Sequence, residues 1–127
     1  MTHKHFIPAI LWFLGILVLL CLPGSAIPKY PWLAIIHADK WIHIFLFCIL
    51  GILLNHPLRY SRYSSGQKKQ WMIWVMAGGI LYGITMEFVQ KWWIPNRSFE
   101  IKDILADSLG CGMAYLIAYG KGWQKVV

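Results

Sequence analysis

The chain has 127 residues, 58% of them hydrophobic and 13% charged, and a formal net charge of +7. It has room for one domain, and its composition excludes a water-soluble globule, in which about a quarter of residues are charged. A membrane protein is expected.

Residues 9–28 contain no Lys, Arg, Asp or Glu, and the apolar run extends back to Phe6. The first helix is predicted from Phe6 to about Leu22, apolar on every face, as suits a span in contact with lipid. A cleaved signal peptide is the weaker reading, because this core exceeds the roughly 7–15 residues of a typical apolar signal region. Pro23-Gly24 ends the helix, and Pro28-Lys29-Tyr30-Pro31-Trp32 is expected to continue as an extended segment, since a residue before proline is pushed out of the α region. Tyr30, Trp32 and Trp41 suit an aromatic belt at the membrane interface.

Residues 41–58 form the second uncharged window. Its helix is predicted over about 40–56 with Asp39 as N-cap, which puts His43 on one surface with Asp39 and Lys40. Tyr60 to Lys69 then reads as a short basic loop. The third helix is predicted over about 70–91, and its Gly79-Ile80-Leu81-Tyr82-Gly83 would admit a close neighbour. Glu87 and Gln90 share one face near its end, Trp92-Trp93 anchor it, and Pro95-Asn96-Arg97-Ser98 turns the chain back. The fourth helix is predicted over 103–119 with Asp103 as N-cap, Asp107 one turn on, and Gly110 and Gly112 as a close-packed surface. The apolar part of that helix, 104–119, would be only about 24 Å long at 1.5 Å per residue, slightly short for a bilayer core of about 30 Å. The expected fold is therefore an all-α membrane protein, a bundle of four transmembrane helices in a single domain.

Four spans put the N-terminus, the 56–70 loop and the C-terminus on one side. That side carries seven Lys and Arg against five on the other, so both termini are expected on the cytoplasmic side of the cell membrane. Attraction to anionic lipid accounts for the basic residues better than nucleic acid does, because they are scattered over loops beside apolar spans. Cys21, Cys48 and Cys111 lie in apolar windows without metal-ligand or redox spacing and read as packing residues. Nucleophile elbow, HExxH and phosphate-loop motifs are lacking, and no metal or cofactor is expected.

All five acidic residues fall on the opposite side or at its helix ends. There Asp39, Lys40, His43, Glu87, Gln90, Arg97, Asp103 and Asp107 are expected to gather, with the N-termini of two helices pointing at them. An ionisable group within a span costs roughly 2.5–3.5 kcal/mol on insertion scales, so such groups pair, line a wet cavity or do chemistry. Asp39 and Asp103 are explained as helix caps, whereas His43, Glu87 and Asp107 sit about one turn inside the spans, where capping no longer applies.

These positions carry a resemblance. Asp39-Lys40-x-x-His43-x-x-x-Phe47-x-x-Leu50-Gly51, then Glu87-x-x-Gln90 followed by Arg97, Asp103 and Gly110, resembles the VanZ-like family of small bacterial membrane proteins. The resemblance implies a four-helix membrane bundle and, through the family's namesake, a link to teicoplanin resistance at the cell envelope, without an established reaction. The chain departs from the pattern in Asp103-Ile104-Leu105-Ala106-Asp107, which has an Asp where an Asn or similar polar residue is expected.

Three functions fit. The first is an outward-facing pocket binding an anionic or glycosylated lipid-linked ligand, or a glycopeptide, with Lys40, His43 and Arg97 as contacts and Glu87, Gln90, Asp103 and Asp107 orienting them. The second is a membrane enzyme of lipid head-group transfer or hydrolysis with Glu87 or His43 as general base. The third is a scaffold in which a buried network, Glu87 paired with Arg97 or Lys40, fixes helix register.

Overall fold

A computed structural model describes residues 2–126, which contain helices and no strand. The helices are α1 (Ile7–Leu20), α2 (Pro31–Ile35), α3 (Ala38–Asn55), α4 (Ser65–Trp93) and α5 (Ile101–Gly120), with 3-10 turns at His3–Phe6, Gly24–Ala26 and His56–Tyr60. Three of these stretches, His3–Leu20, Ala38–Tyr60 and Ser65–Trp93, are long and apolar enough to cross a membrane. The fourth predicted span corresponds to α5, which has 20 residues but carries Lys102, Asp103 and Asp107 near its start and is not among the three. Large apolar side chains point outward from every long helix, among them Leu11 and Val18, Trp41 and Phe45, Trp74 and Leu81, and Leu109 and Leu116. Such a surface suits contact with lipid.

Local chemistry explains most boundaries. α1 has Pro8 in its first turn, where a missing N–H costs nothing. The segment expected to be extended at Pro31 instead makes the short helix α2, with Pro31 as its first residue; Ile27 and Tyr30, which precede Pro28 and Pro31, keep the extended backbone that a following proline demands. The predicted basic loop is also shorter than expected. α4 begins at Ser65 because Ser64 and Gln67 form a capping box, the Gln67 N–H donating to Ser64 Oγ at 3.2 Å and the Ser64 N–H to Gln67 Oε1 at 3.0 Å. Lys68 is therefore a helix residue, fully buried, and its Nζ donates to the Lys125 carbonyl at 3.0 Å.

Both helices start earlier than predicted, so the predicted N-caps fall inside them. The cap position of α3 is His37, whose left-handed backbone (φ 54°, ψ 46°) swings the chain into the helix, and Asp39 lies in the first turn. At α5 the cap position is Glu100, with no side-chain cap bond, and Asp103 is the third helical residue. Neither aspartate caps its own helix, because each is drawn to a lysine on α3.

α5 packs against α3 and α4, and α1 lies against α3 and α4. A Cβ on Gly79 would come within 2.6 Å of Cys111 Sγ, and one on Gly83 within 2.6 Å of Asp107 Oδ2, so the GxxxG face of α4 is taken by α5 of the same chain. A Cβ on Gly110 would lie 2.5 Å from the Ile44 carbonyl, which sets the α3–α5 approach; Gly112, expected on the same surface, meets nothing within 4 Å. Between the helices lie Ile16, Leu20, Leu46, Phe47, Leu50, Met86 and Cys111. Cys48 and Cys111 are buried and Cys21 is half-buried, all as free thiols.

Candidate functional site

The i, i+4 spacing that put Asp39 and His43 on one face of α3 has counterparts on its two neighbours: Gly83 and Glu87 on α4, Asp103 and Asp107 on α5. Where the three faces meet, the side chains form two linked groups.

The outer group centres on Lys40. Its Nζ donates to Asp39 Oδ2 at 2.5 Å, to Asp103 Oδ1 at 2.6 Å and to Glu100 Oε2. Glu100 was not among the residues expected at the site. The signal for it was weak but present: an acidic residue directly before α5, opposite the start of α3. The inner group centres on His43, which is 5% exposed. Its Nδ1 stands 2.7 Å from Asp107 Oδ1, and its Nε2 stands 3.8 Å from Asp103 Oδ2. Asp107 is 1% exposed, and its second oxygen, Oδ2, is buried against Gly83 with no hydrogen-bond partner among the described residues.

Glu87, also 1% exposed, does not pair with Arg97 or Lys40 as the scaffold reading expected. Its Oε2 accepts the backbone N–H of Glu100 at 3.0 Å, which ties the end of α4 to the entry of α5. A carboxylate on a free N–H at a helix start is a favourable placement.

Gln90 and Arg97 go elsewhere. Gln90 Nε2 donates to the Leu20 carbonyl at 2.8 Å, and Arg97 Nε donates to the Leu22 carbonyl at 3.1 Å. Both satisfy carbonyls that the end of α1 leaves without intrahelical partners. The Pro95–Ser98 turn is held there by Gly24, whose N–H donates to the Pro95 carbonyl at 2.9 Å and where a Cβ would collide with Asn96 at 1.9 Å. Asn96 has φ of 59°, a left-handed backbone that asparagine tolerates.

Beside these groups lies a polar cavity of about 350 Å³ whose walls include His43, Gln90, Arg97, Glu100 and Asp103. Its rim residues Ile27, Lys29 and Asp39 also line an apolar cleft of about 550 Å³ between the α2 segment and α3, with Pro28, Leu33, Ala38 and Ile42 in its wall. The two cations expected to contact a ligand, Lys40 and Arg97, are both engaged by acceptors of the protein itself. Of the residues expected at the site, Asp39, Lys40, His43, Glu87, Asp103 and Asp107 come together, while Gln90 and Arg97 join them only as cavity wall.

Comparison with known proteins places these residues in a family context. The family model described as VanZ/LLP1 matches residues 4–122, a range that contains every residue of the cluster. An uncharacterized protein of Schizosaccharomyces pombe is similar, 29% identical over 104 residues that cover 82% of this chain. The chain spans 60% of that relative's length. No solved structure matches.

Proposed function

This chain belongs to the VanZ/LLP1 family, and on that footing we propose that it is a multi-pass protein of the cell membrane, a single domain in which α1, α3, α4 and α5 all cross the bilayer. Both termini then lie in the cytoplasm, and the acidic cluster opens outward. Its function is to hold a lipid-linked ligand by a hydroxylated, sugar-like head group. The observation that carries this reading is the shared wall of the two cavities: Ile27, Lys29 and Asp39 line both, so the polar cavity adjoins an apolar cleft. That pairing matches an amphiphile with its head among carboxylates and its chain along α3.

Sugar hydroxyls suit a site rich in acceptors, and a bare anion suits it less, since Lys40 and Arg97 already have protein partners. A relative in a yeast favours a ligand chemistry common to many membranes. The teicoplanin link has the family resemblance alone behind it.

The test is lipid retention by the full chain, measured by native mass spectrometry from mixed micelles holding a hexose-headed lipid and phosphatidylcholine. The hexose-headed lipid should be retained preferentially, and Ala38→Trp, which fills the apolar cleft, should abolish the preference. Equal retention of both lipids, or a preference that survives Ala38→Trp, refutes the reading. The orientation is tested in a background lacking Cys21, Cys48 and Cys111, with single cysteines at Ser98 and at Gly66, where a Cβ meets nothing closer than 4.0 Å. An impermeant thiol reagent should label intact cells at position 98 and not at 66; the opposite pattern would turn the cluster toward the cytoplasm.

A further inference from the structure

We infer that His43, Glu87 and Asp103 form a binding site for a divalent transition-metal cation at the floor of the polar cavity. One residue comes from each of α3, α4 and α5, and they are 5%, 1% and 7% exposed. Each offers one ligand atom, and the three atoms all lie within 4.8 Å of one another.

An independent feature of the same site points to a cation. In the neutral imidazole, the 2.7 Å contact of Nδ1 with Asp107 Oδ1 places the proton on Nδ1 and leaves the lone pair of Nε2 facing Asp103 Oδ2 at 3.8 Å. Two acceptors facing each other in a buried setting repel unless something positive lies between them. Metal-ligating histidines characteristically give their other N–H to a carboxylate in this way, which fixes the ring and makes the free nitrogen more basic. Asp107 is therefore a positioning residue, held in turn by the close approach of Gly83.

Charge balance agrees. Five carboxylates, Asp39, Glu87, Glu100, Asp103 and Asp107, gather around Lys40 and His43, and the Lys40 ammonium already serves Asp39, Glu100 and Asp103. Counted as formal charges with the imidazole neutral, five carboxylates against one ammonium leave a negative excess. One imidazole and two carboxylates suit Zn²⁺ or Mn²⁺, with bonds near 2.0–2.2 Å for zinc. Side-chain shifts of about an ångström or less would bring the three donors to that distance. Three protein ligands leave at least one coordination position open. His43 and Asp103 also line the cavity of about 350 Å³, so the open position faces the space assigned above to a head group. A cation there would supply the positive partner for a ligand oxygen that Lys40 and Arg97, both engaged, do not.

No motif reveals this site in the sequence, which is why no metal was expected: the ligands are 44 and 16 residues apart, on three different helices.

The experiment uses the tag-free full chain in detergent, without any lipid ligand, so that its outcome is separate from the lipid-retention result. Zn²⁺ is titrated in competition with a chromophoric chelator, and Mn²⁺ is followed by electron paramagnetic resonance. One equivalent per chain is expected, with a rise in thermal stability that EDTA reverses. Glu87→Gln and Asp103→Asn should each weaken binding at least tenfold, Asp107→Asn about 10- to 100-fold through loss of ring orientation, and Lys121→Gln, exposed after the end of α5, should leave it unchanged. If folded wild-type protein takes up no stoichiometric Zn²⁺ or Mn²⁺, or if Glu87→Gln and Asp103→Asn bind as wild type, the inference is overturned. A protonated His43 bridging Asp103 and Asp107 would then be the structure of the cluster. Should Glu87→Gln fail to fold, Asp107→Asn and the wild-type titration still decide the matter.

Discussion

At the end of the molecule where α1 stops and α3 and α5 begin, His43, Glu87, Asp103 and Asp107 are buried against one another. At the opposite end the buried Lys68 donates to the backbone carbonyl of Lys125 and sits near an apolar cluster of Leu58, Met72 and Ala118, closed by Trp71, Tyr115 and Trp123. The first end is a network whose members come from three helices: Lys40 serves Asp39, Glu100 and Asp103, and His43 meets Asp107. The second is a single ammonium on one carbonyl, at an end of the molecule that also carries ring contacts such as His56 against Trp123 and His5 stacked on Tyr60. Stability alone calls for nothing more elaborate than the second arrangement, because a well-packed apolar set is often as stable as a buried ion pair. The first therefore asks for a functional reason.

Substitutions should separate the two ends, and the largest effect is expected at His43. His43→Ala strips the partner from Asp107 and leaves a bare carboxylate buried among helices, which should cost about 3–5 kcal/mol in unfolding titrations. Restoring stability by His43→Leu together with Asp107→Leu, while ligand or metal binding stays lost, would show that the network serves function at no net gain in stability.

Next comes Gly83→Ala. A Cβ there would lie 2.6 Å from Asp107 Oδ2 and 2.9 Å from its Cβ, so α4 and α5 must separate or Asp107 must swing away from His43. A loss of about 1–3 kcal/mol is expected, with a drop in binding out of proportion to it. If binding is untouched, the Asp107–His43 contact is not what positions the site.

Lys40 and Asp103 should show coupling of about 0.5–3 kcal/mol in a double-mutant cycle of Lys40→Met and Asp103→Asn. At the opposite end Lys68→Met should cost about 1.5–3 kcal/mol, the net worth of one hydrogen bond with a charged partner. A cost at Lys68 equal to that at His43 would erase the contrast between the ends. The smallest effect is expected at Gly112, where nothing lies within 4 Å of an added Cβ. Gly112→Ala should stabilise α5 by roughly 0.5–1 kcal/mol, while Gly110→Ala, pressed on the Ile44 carbonyl, should destabilise it.

Where the sequence misled, the cause was local chemistry outweighed by a distant partner, or overlooked altogether. Asp39 and Asp103 look like caps because they stand at helix starts, yet both turn to Lys40. Arg97 and Gln90, expected at the site, line its cavity, and their side chains also bond carbonyls at the end of α1 and just beyond it, partners that no local pattern shows. The early start of α4 was legible in Ser64-Ser65-Gly66-Gln67, a capping box that Lys68 and Lys69 separate from the uncharged run beginning at Gln70.

By itself the sequence determined the apolar windows, the helices they form, and the gathering of all five acidic residues toward one end, because hydrophobic length and charge placement are properties of local chain. Only the tertiary structure decided which carboxylate meets which cation. It brought His43 to Asp107 across 64 residues of chain, turned Arg97 back onto α1, placed Glu100 on Lys40, and set three donors from three helices around one point. Those choices depend on how closely the helices approach, and that distance is set by Gly79, Gly83 and Gly110, whose missing side chains cannot be read as partners until the neighbouring helix is in place.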